Sequence, residues 1–186
     1  MHTTSVSLLE RLKQPMAQDA WARFVNLYTP LLFYWARRLG LQEPDAADLV
    51  QDVFTVLLKK LPDFNYKPDQ SFRGWLRTVL YNKWRKKKPG PGQPSTGTAG
   101  LSEVADPEQA ADIGDAEFQQ QLTVRALQLM QAEFQPATWK ACWETVVCSR
   151  PAAEVARELG MSVNAVYLAK SRVLRRLRQE LEGMLD

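Results

Sequence analysis

The stretch AAEVARELGMSVNAVYLAKSRVLRRLR, residues 152–178, decides the fold of the C-terminal part of the chain. Its apolar residues recur every three or four positions in two short blocks, which is the spacing of two helices. Gly160 separates the blocks at a turn, where a left-handed backbone is least costly for glycine. Ser162 is placed to cap the second helix, and Ala156 is small where the helices would cross. Together these features predict a helix-turn-helix. The side chains predicted to form its shared core are Val155, Leu159, Met161 and Val166.

The second of these helices has the composition of a DNA-reading helix. In helix-turn-helix proteins the N-terminal half of this helix lies in the major groove. Arg172 could bind a guanine edge through two hydrogen bonds, and Asn164 could contact a base or a phosphate. The predicted DNA contacts are Ser162, Asn164, Tyr167, Leu168, Ser171, Arg172 and Arg175. Cations that would hold phosphates, and so add affinity without reading sequence, are Lys170, Arg175, Arg176 and Arg178. A helical hairpin with a solvated basic face is the alternative.

A composition shift at residues 89–114 divides the chain into two units. This segment is rich in Pro, Gly, Ser and Thr in its first half, and no Lys or Arg occurs between Pro89 and Val124. It cannot bury enough apolar surface to offset its ordering entropy, so we expect a flexible acidic linker. No segment of the chain shows sustained strand-like alternation. The sequence therefore predicts an all-α fold of two small helical domains, residues 1–88 and 115–186, joined by this linker. The predicted helices cover about 4–13, 18–39 (interrupted or kinked near Pro30), 45–61, 71–88, 115–134, 137–148, 151–159 and 163–182.

The predicted helix 45–61 is amphipathic and has an acidic side. At 100° per residue, one side carries Leu49, Val50, Val53, Phe54, Leu57 and Leu61. The opposite side carries Asp45, Asp48, Gln51, Asp52 and Thr55. This pattern is consistent with a solvated acidic face or with a docking surface for a basic partner.

The stretch SFRGWLRTVLYNKWRKKK, residues 71–88, changes character at Leu80. Up to that point an apolar stripe of Phe72, Trp75, Leu76, Val79 and Leu80 predicts a core helix, but the next positions of the stripe are lysines. A second face, the basic–aromatic face, carries Arg73, Arg77, Tyr81, Trp84 and Lys88. Alternating cations and rings are typical of single-strand binding, because unstacked bases stack on rings while cations follow phosphates. The preceding loop, with Phe64, Asn65, Tyr66 and Lys67, could form a pocket for a flipped base. Packing of Trp84 at the edge of the core is the alternative.

The rare residue types argue against an enzyme. The chain has 186 residues, a net charge of +3, two cysteines and one histidine. That histidine, His2, lies close to the N-terminus, which excludes a histidine-based dyad on an ordered element and argues against a zinc site. We expect Cys142 and Cys148 to be buried thiols. We predict no metal and no cofactor. The chain has neither an apolar run long enough to span a membrane nor a signal-peptide core, so we expect a cytoplasmic protein without membrane insertion.

Three segments, in this order, resemble bacterial RNA polymerase sigma factors of the extracytoplasmic-function (ECF) type. The segment DLVQDVF, residues 48–54, is similar to the helix by which that family docks on the polymerase clamp. The segment SFRGWLRTVLYNKWRKK is similar to its promoter-melting and minus-10-reading helix, and AAEVARELGMSV with AVYLAKSRVLRRL to its minus-35-reading helix-turn-helix. The resemblance implies a transcription initiation factor with no active site of its own, which binds core RNA polymerase and promoter DNA. It also implies a regulator such as an anti-sigma factor.

Carried over residue by residue, the resemblance assigns three sets of contacts. The core polymerase-binding residues would be Asp48, Leu49, Gln51, Asp52 and Phe54. The minus-10 and single-strand contacts would be Phe64, Asn65, Tyr66, Lys67, Phe72, Arg73, Arg77, Tyr81, Trp84 and Arg85. The upstream element would face Tyr167, Leu168, Ser171 and Arg172. The family commonly has a basic residue at the position of Tyr167 and a small polar one at that of Leu168, so its upstream sequence preference does not carry over.

Two other classes of function fit parts of the sequence. An autonomous helix-turn-helix regulator with an N-terminal helical dimerisation domain would bind duplex DNA without polymerase, at a symmetric site. A DNA-processing enzyme such as a recombinase would need a nucleophile or metal-binding carboxylates in a cleft. The acids of this chain instead cluster on the helix 45–61 and in the linker, which disfavours the enzyme.

Overall fold

The computed structural model describes residues 7–64, 71–87 and 115–184, and within these ranges the chain is helical with no strand. The N-terminal unit contains α1 (Leu8–Leu12), α2 (Gln18–Arg38), α3 (Glu43–Lys60), a 3-10 turn (Leu61–Asp63) and α4 (Phe72–Lys87). The C-terminal unit contains α5 (Asp115–Leu129), a 3-10 turn (Gln131–Glu133), α6 (Pro136–Val146), α7 (Ala152–Leu159) and α8 (Val163–Glu180). The prediction of an all-α fold is confirmed. The predicted linker, residues 89–114, lies outside the described residues, and the domain boundaries stay a prediction.

The ends of the helices follow local chemical signals. Gly160 has a φ of +64° and ends α7 in the left-handed conformation that glycine adopts at low cost. The hydroxyl of Ser162 accepts a hydrogen bond of 3.1 Å from the backbone N–H of Ala165, so the predicted cap of α8 is confirmed. Gly40, with a φ of +84°, follows the end of α2. That helix runs through Pro30 rather than stopping there, and Pro30 lies on its exposed side.

An aromatic cluster holds α2, α3 and α4 together. The ring of Phe24 on α2 lies 4.6 Å from that of Tyr28, and 6.1 Å from those of Phe54 and Phe72. Phe64, just after α3, packs edge-on against Phe72 at 5.7 Å. Such tilted and edge-to-face pairs are the arrangements that aromatic quadrupoles favour. The three helices therefore present fixed outer faces.

The C-terminal unit shares this core with the N-terminal unit. The rings of Trp35 on α2 and Phe118 on α5 stack with centroids 5.4 Å apart and planes 17° apart. Both side chains are buried in one continuous apolar cluster that includes residues of both units. Arg125 on α5 also donates a hydrogen bond of 3.1 Å to the carbonyl of Asn26. The helical periodicity predicted two units, and the structure shows them packed against each other.

An interdomain ion cluster, formed by Arg11, Arg23, Glu133, Arg176 and Glu180, joins the two units beside this core. Arg23 lies 2.6 Å from Glu133 and 2.7 Å from Glu180, while Arg176 lies 3.1 Å and 2.9 Å from the same carboxylates. Arg11 is 3.7 Å from Glu180. The Glu180 side chain is buried, so its charge depends on these cations for compensation.

A second, smaller core lies between α6, α7 and α8. Its buried members are Ala141, Val155, Ala156, Val166 and Ala169, and Leu159 and Met161 pack against it. The predicted shared core of the C-terminal helix pair is therefore confirmed. Its identity as a DNA-binding helix-turn-helix stays a prediction. Among the helices of the described ranges, none is both long and apolar enough for a membrane span.

Candidate functional surfaces

The outer face of α3 carries most of the predicted polymerase-docking residues. Asp48 and Gln51 are exposed, and Asp52 is half-buried. The carboxylate of Asp52 lies 3.0 Å from the ammonium group of Lys87, which ties α3 to the last turn of α4. Leu49 is fully buried and Phe54 packs against the core. Leu49 could therefore act in docking only by supporting this face from within the core, and its assignment to the polymerase-binding set stays a prediction.

Three aromatic residues predicted to bind single-stranded DNA lie in the core. Trp84 is 4% exposed, Phe64 is 7% exposed and Phe72 is fully buried. The expectation of an exposed ring is wrong for Trp84, for which the alternative of packing holds. The burial of Phe72 agrees with its place on the predicted core stripe, and the DNA contacts of Phe64 and Phe72 stay predictions. The physical reason for the position of these rings is that burial stabilises a large aromatic ring but costs a cation its hydration. The ring therefore turns into the core, while a cation within the same helical turn stays at the surface.

The C-terminal unit covers the N-terminal end of the basic–aromatic face. The guanidinium of Arg73 lies 5.2 Å from the centroid of the Phe118 ring, and that of Arg77 lies 5.9 Å from the Trp35 ring. These are cation–π distances. The Nε and Nη2 atoms of Arg77 are buried and have no hydrogen-bond partner among the described residues. The packing of the two units thus holds Arg73, whereas Arg77 packs on Trp35 within the N-terminal unit.

Of the remaining residues of the predicted single-strand site, two lie at the surface of α4 and the others lie outside the described residues. Tyr81 is half-buried and Arg85 is exposed, with the Arg85 guanidinium 5.8 Å from the Tyr81 ring. Asn65, Tyr66 and Lys67 lie outside the described residues, as does Lys88. The structure therefore brings Tyr81 and Arg85 together on the outer surface of α4.

A basic groove runs between α3 and α4 and was not predicted. It encloses about 590 Å³ and is lined by Val56, Lys60, Val79, Asn82, Lys83, Arg85 and Lys86. Four of these residues are cations and none is an acid, so the groove favours a negatively charged ligand. The lysines that follow Leu80 on the apolar stripe were a visible signal for one wall. The contribution of Val56 and Lys60 depends on how α3 packs against α4, which sequence periodicity does not reveal.

The outer face of α8 presents every residue predicted to contact the upstream element. Ser162, Asn164, Ser171, Arg172 and Arg175 are exposed. Tyr167 and Leu168 are also exposed, at 56% and 60%. Arg176 is different because it turns toward Glu133 and Glu180, so the prediction that it holds a phosphate is wrong. Lys170 is half-buried and Arg178 is exposed.

An ion-pair network connects α7 to α6. Glu158 on α7 accepts hydrogen bonds from Lys140 at 2.9 Å and from Arg150 at 2.7 Å. Lys140 and then Arg150 lower the pKa of Glu158 below its ordinary value. Arg150 also pairs with Glu144 at 2.9 Å. The network ties α7 to α6, and the small core that α8 shares with both helices gives α8 the fixed orientation that a base-reading helix requires.

The two thiols have different environments. Cys142 on α6 is buried, and desolvation raises its pKa to about 11 although Lys170 opposes the shift. Cys148 is exposed, so the prediction of a buried thiol is right for Cys142 and wrong for Cys148. The raised pKa leaves Cys142 protonated at neutral pH, as expected of a structural thiol.

Comparisons with known proteins relate this chain to RNA polymerase sigma factors. Residues 24–88, which span most of α2 and all of α3 and α4, match the family model for Sigma-70 region 2. Over 68 residues the chain is 38% identical to RNA polymerase sigma factor CnrH of Cupriavidus metallidurans, an alignment that covers 37% of this chain and 35% of that protein. Over 188 residues it is 29% identical to RNA polymerase sigma factor NccH of Alcaligenes xylosoxydans xylosoxydans, covering 98% of this chain and 97% of that protein. A solved structure of CnrH in complex with the cytosolic domain of CnrY aligns with 91% of this chain and 92% of that chain, at 23% identity and a TM-score of 0.36.

The region 2 match defines the class of the N-terminal unit, because residues 24–88 match Sigma-70 region 2. Together with the relatives CnrH and NccH, the match supports the placement of the chain among the ECF sigma factors, as the order of its three motifs implied.

Proposed function

We propose that this chain directs core RNA polymerase to specific promoters and promotes DNA melting during transcription initiation. The observation that carries the proposal is the region 2 match over residues 24–88 on a unit whose outer surfaces are charged. The chain supplies recognition and has no active site, while polymerase supplies the chemistry and its metals. This role places the protein in the cytoplasm with the polymerase.

The outer face of α3 is the proposed docking surface for the polymerase. Asp48 and Gln51 project from it into solvent, and Asp52 stands beside them in its pair with Lys87. Leu49 and Phe54 support this face from below. Acidic side chains on a rigid helix suit a basic partner, because charge complementarity increases the association rate and fixes the register of docking.

The outer surface of α4 is the proposed contact for the melted minus-10 strand. Tyr81 and Arg85 provide a ring and a cation beside the basic groove, and the loop residues Asn65, Tyr66 and Lys67 precede the helix. Arg73 would join this surface once Phe118 of α5 moves away from it, and Arg77 would join it on leaving the Trp35 ring. Phe64, Phe72 and Trp84 stabilise the surface from within the core, and Trp84 is not proposed to stack on bases.

The outer face of α8 is the proposed minus-35 contact. Asn164, Ser171 and Arg172 can donate and accept hydrogen bonds in the major groove, and Arg175 and Arg178 can reach phosphates. The membership of the ECF group also motivates the proposal of an anti-sigma partner that holds the factor inactive. Its docking site on this chain stays open.

Reconstitution with core polymerase tests the proposed function. We expect run-off transcription from a subset of a promoter library, and loss of dependence on the upstream element in the variant Arg172→Ala. No initiation above that of core polymerase alone would reject the proposal. Tight binding of a symmetric duplex without polymerase would favour the autonomous regulator instead.

A further inference from the structure

Large apolar side chains lie exposed on the predicted DNA-reading face of α8. Tyr167 is 56% exposed, Leu168 is 60% exposed and Val163 is 40% exposed. All three lie in the first two turns of the helix, on the same side as Asn164. Leaving three such side chains in solvent on one short segment has no stabilising effect on the fold, so their exposure indicates a contact surface.

The charges on α8 identify the kind of partner. Within the helix, no acid precedes Glu180, and Glu180 points away from this face toward Arg23 and Arg176. Arg172, Arg175 and Arg178 follow the apolar residues along the same exposed side. The face is therefore apolar at its N-terminal end and cationic over the next turns. A duplex fits this order, because the N-terminal half of a reading helix faces the bases and later cations reach phosphates.

Base chemistry explains what apolar side chains can read in the major groove. The thymine C5-methyl group is the one methyl group that an unmodified base presents there, and each base otherwise offers mainly hydrogen-bond donors and acceptors. Leu168 has no hydrogen-bonding atom in its side chain, and Tyr167 presents a ring with a single hydroxyl. In the first two turns, Asn164 can hydrogen-bond to a base, whereas contact with methyl groups is the discrimination that Tyr167 and Leu168 can provide.

We propose that Tyr167 and Leu168 determine promoter specificity by contacting thymine C5-methyl groups in the upstream element. This inference rests on the proposed function, because it requires α8 to lie in a major groove. It goes beyond the general minus-35 role in naming the base feature that is read.

Replacement of thymine by deoxyuridine tests the inference without altering the protein. The probe is a promoter duplex selected by run-off transcription from the library, with deoxyuridine in place of thymine only within the upstream element. We expect holoenzyme assembled from the full chain to bind the substituted duplex about fourfold more weakly for each contacted methyl group, which is the effect of burying one apolar carbon. The same substitution in DNA outside the promoter elements should have no effect.

Variants then locate the contact on the helix. Leu168→Ala should reduce the difference between thymine and deoxyuridine duplexes, and Tyr167→Ala should reduce it independently. The matched control is Leu58→Ala, because Leu58 on α3 is 55% exposed and lies on another surface. For this control, the ratio of the affinities for the thymine and deoxyuridine duplexes should equal that of the unmodified protein.

The outcomes separate this inference from the proposed function. Initiation with equal affinity for both duplexes, or selection of upstream elements that lack thymine, would overturn the inference and leave the sigma-factor role intact. Loss of binding to a protein partner in Leu168→Ala, with an unchanged thymine-to-deoxyuridine ratio, would reassign the face to that partner. The absence of initiation at any promoter would reject the proposed function, and the inference would fall with it.

Discussion

Neighbouring side chains near the end of α4 are divided between core and solvent within one helical turn. Trp84 is buried in the main core, Tyr81 is half-buried and Arg85 is exposed, although the rings of Tyr81 and Trp84 lie only 5.4 Å apart. An indole in the core contributes apolar burial, whereas a guanidinium at the surface keeps its hydration. The two residues therefore have different roles despite their adjacent positions in the sequence.

Removal of the Trp84 ring tests this division. We expect Trp84→Ala to lower the free energy of unfolding by about 3–5 kcal/mol, the usual cost of truncating a buried tryptophan or phenylalanine to alanine. The measurement is urea denaturation of the full chain. The matched control, Arg85→Ala, should change stability by less than about 0.5 kcal/mol, because its side chain is exposed. A stable Trp84→Ala protein with impaired open-complex formation would instead support direct stacking of Trp84 on a base.

At the scale of elements, α3 and α4 form one platform that carries two proposed surfaces. The pair between Asp52 and Lys87 connects them at 3.0 Å, and the basic groove lies between their C-terminal halves. The side chains of this pair are 42% and 35% exposed. Exposed ion pairs contribute only about 0–1 kcal/mol to folding stability. We therefore expect Asp52 to act mainly through its position on the docking face.

A charge reversal at Asp52 tests the docking surface on α3. We expect Asp52→Lys to weaken binding to core polymerase and to leave the melting temperature nearly unchanged. The matched control is Lys87→Gln, which breaks the same ion pair but keeps the Asp52 carboxylate, and which should retain binding. The measurement is the affinity for core polymerase, determined at two salt concentrations because screening weakens exposed charges. Equal loss of polymerase affinity in both variants would show that the ion pair acts by holding α3 and α4 together. Unchanged affinity in Asp52→Lys would show that Asp52 is not part of the docking surface.

At the scale of the whole molecule, the two units are packed so that one covers part of the other's proposed DNA surface. Arg73 packs on Phe118 of α5, and Arg77 on Trp35, whose ring stacks on Phe118. Beside this contact, Arg23 bridges to Glu133 and to the buried Glu180. Binding of two separate promoter elements would require these contacts to open. The free energy of the interdomain packing would then be part of the free energy of promoter binding.

Reversal of the charge at Arg23 tests the interdomain ion cluster. We expect Arg23→Glu to separate the units, because a third carboxylate beside Glu133 and Glu180 is repelled and removal of one partner from a buried pair costs about 3–5 kcal/mol. The radius of gyration from small-angle scattering should increase, and binding of single-stranded DNA should strengthen as Arg73 is released from Phe118. The control Arg37→Glu changes the same charge at an exposed position of α2. An unchanged radius of gyration in Arg23→Glu would show that apolar packing alone holds the units together.

The sequence by itself was sufficient for the features that depend on neighbours within a few residues. The left-handed Gly160, the Ser162 cap and the exposed face of α8 follow from periodicity and local hydrogen bonding, and the structure confirms them. Most helices also lie where they were predicted, but the helices predicted at about 4–13 and 115–134 are shorter, at Leu8–Leu12 and Asp115–Leu129. The order of three motifs was also sufficient to indicate the sigma-factor family, since a family resemblance is carried by the sequence itself.

Only the tertiary structure decided which element covers each apolar or cationic face. A helical wheel showed Trp84 and Arg77 on one side of α4, but not that Trp84 enters the core or that Arg77 packs on Trp35. It could not place Lys60 beside Lys83 in one groove, nor turn Arg176 toward Glu133. The physical reason is that periodicity reports the direction of a side chain from its own helix axis. Burial, by contrast, depends on long-range packing between helices far apart in the sequence.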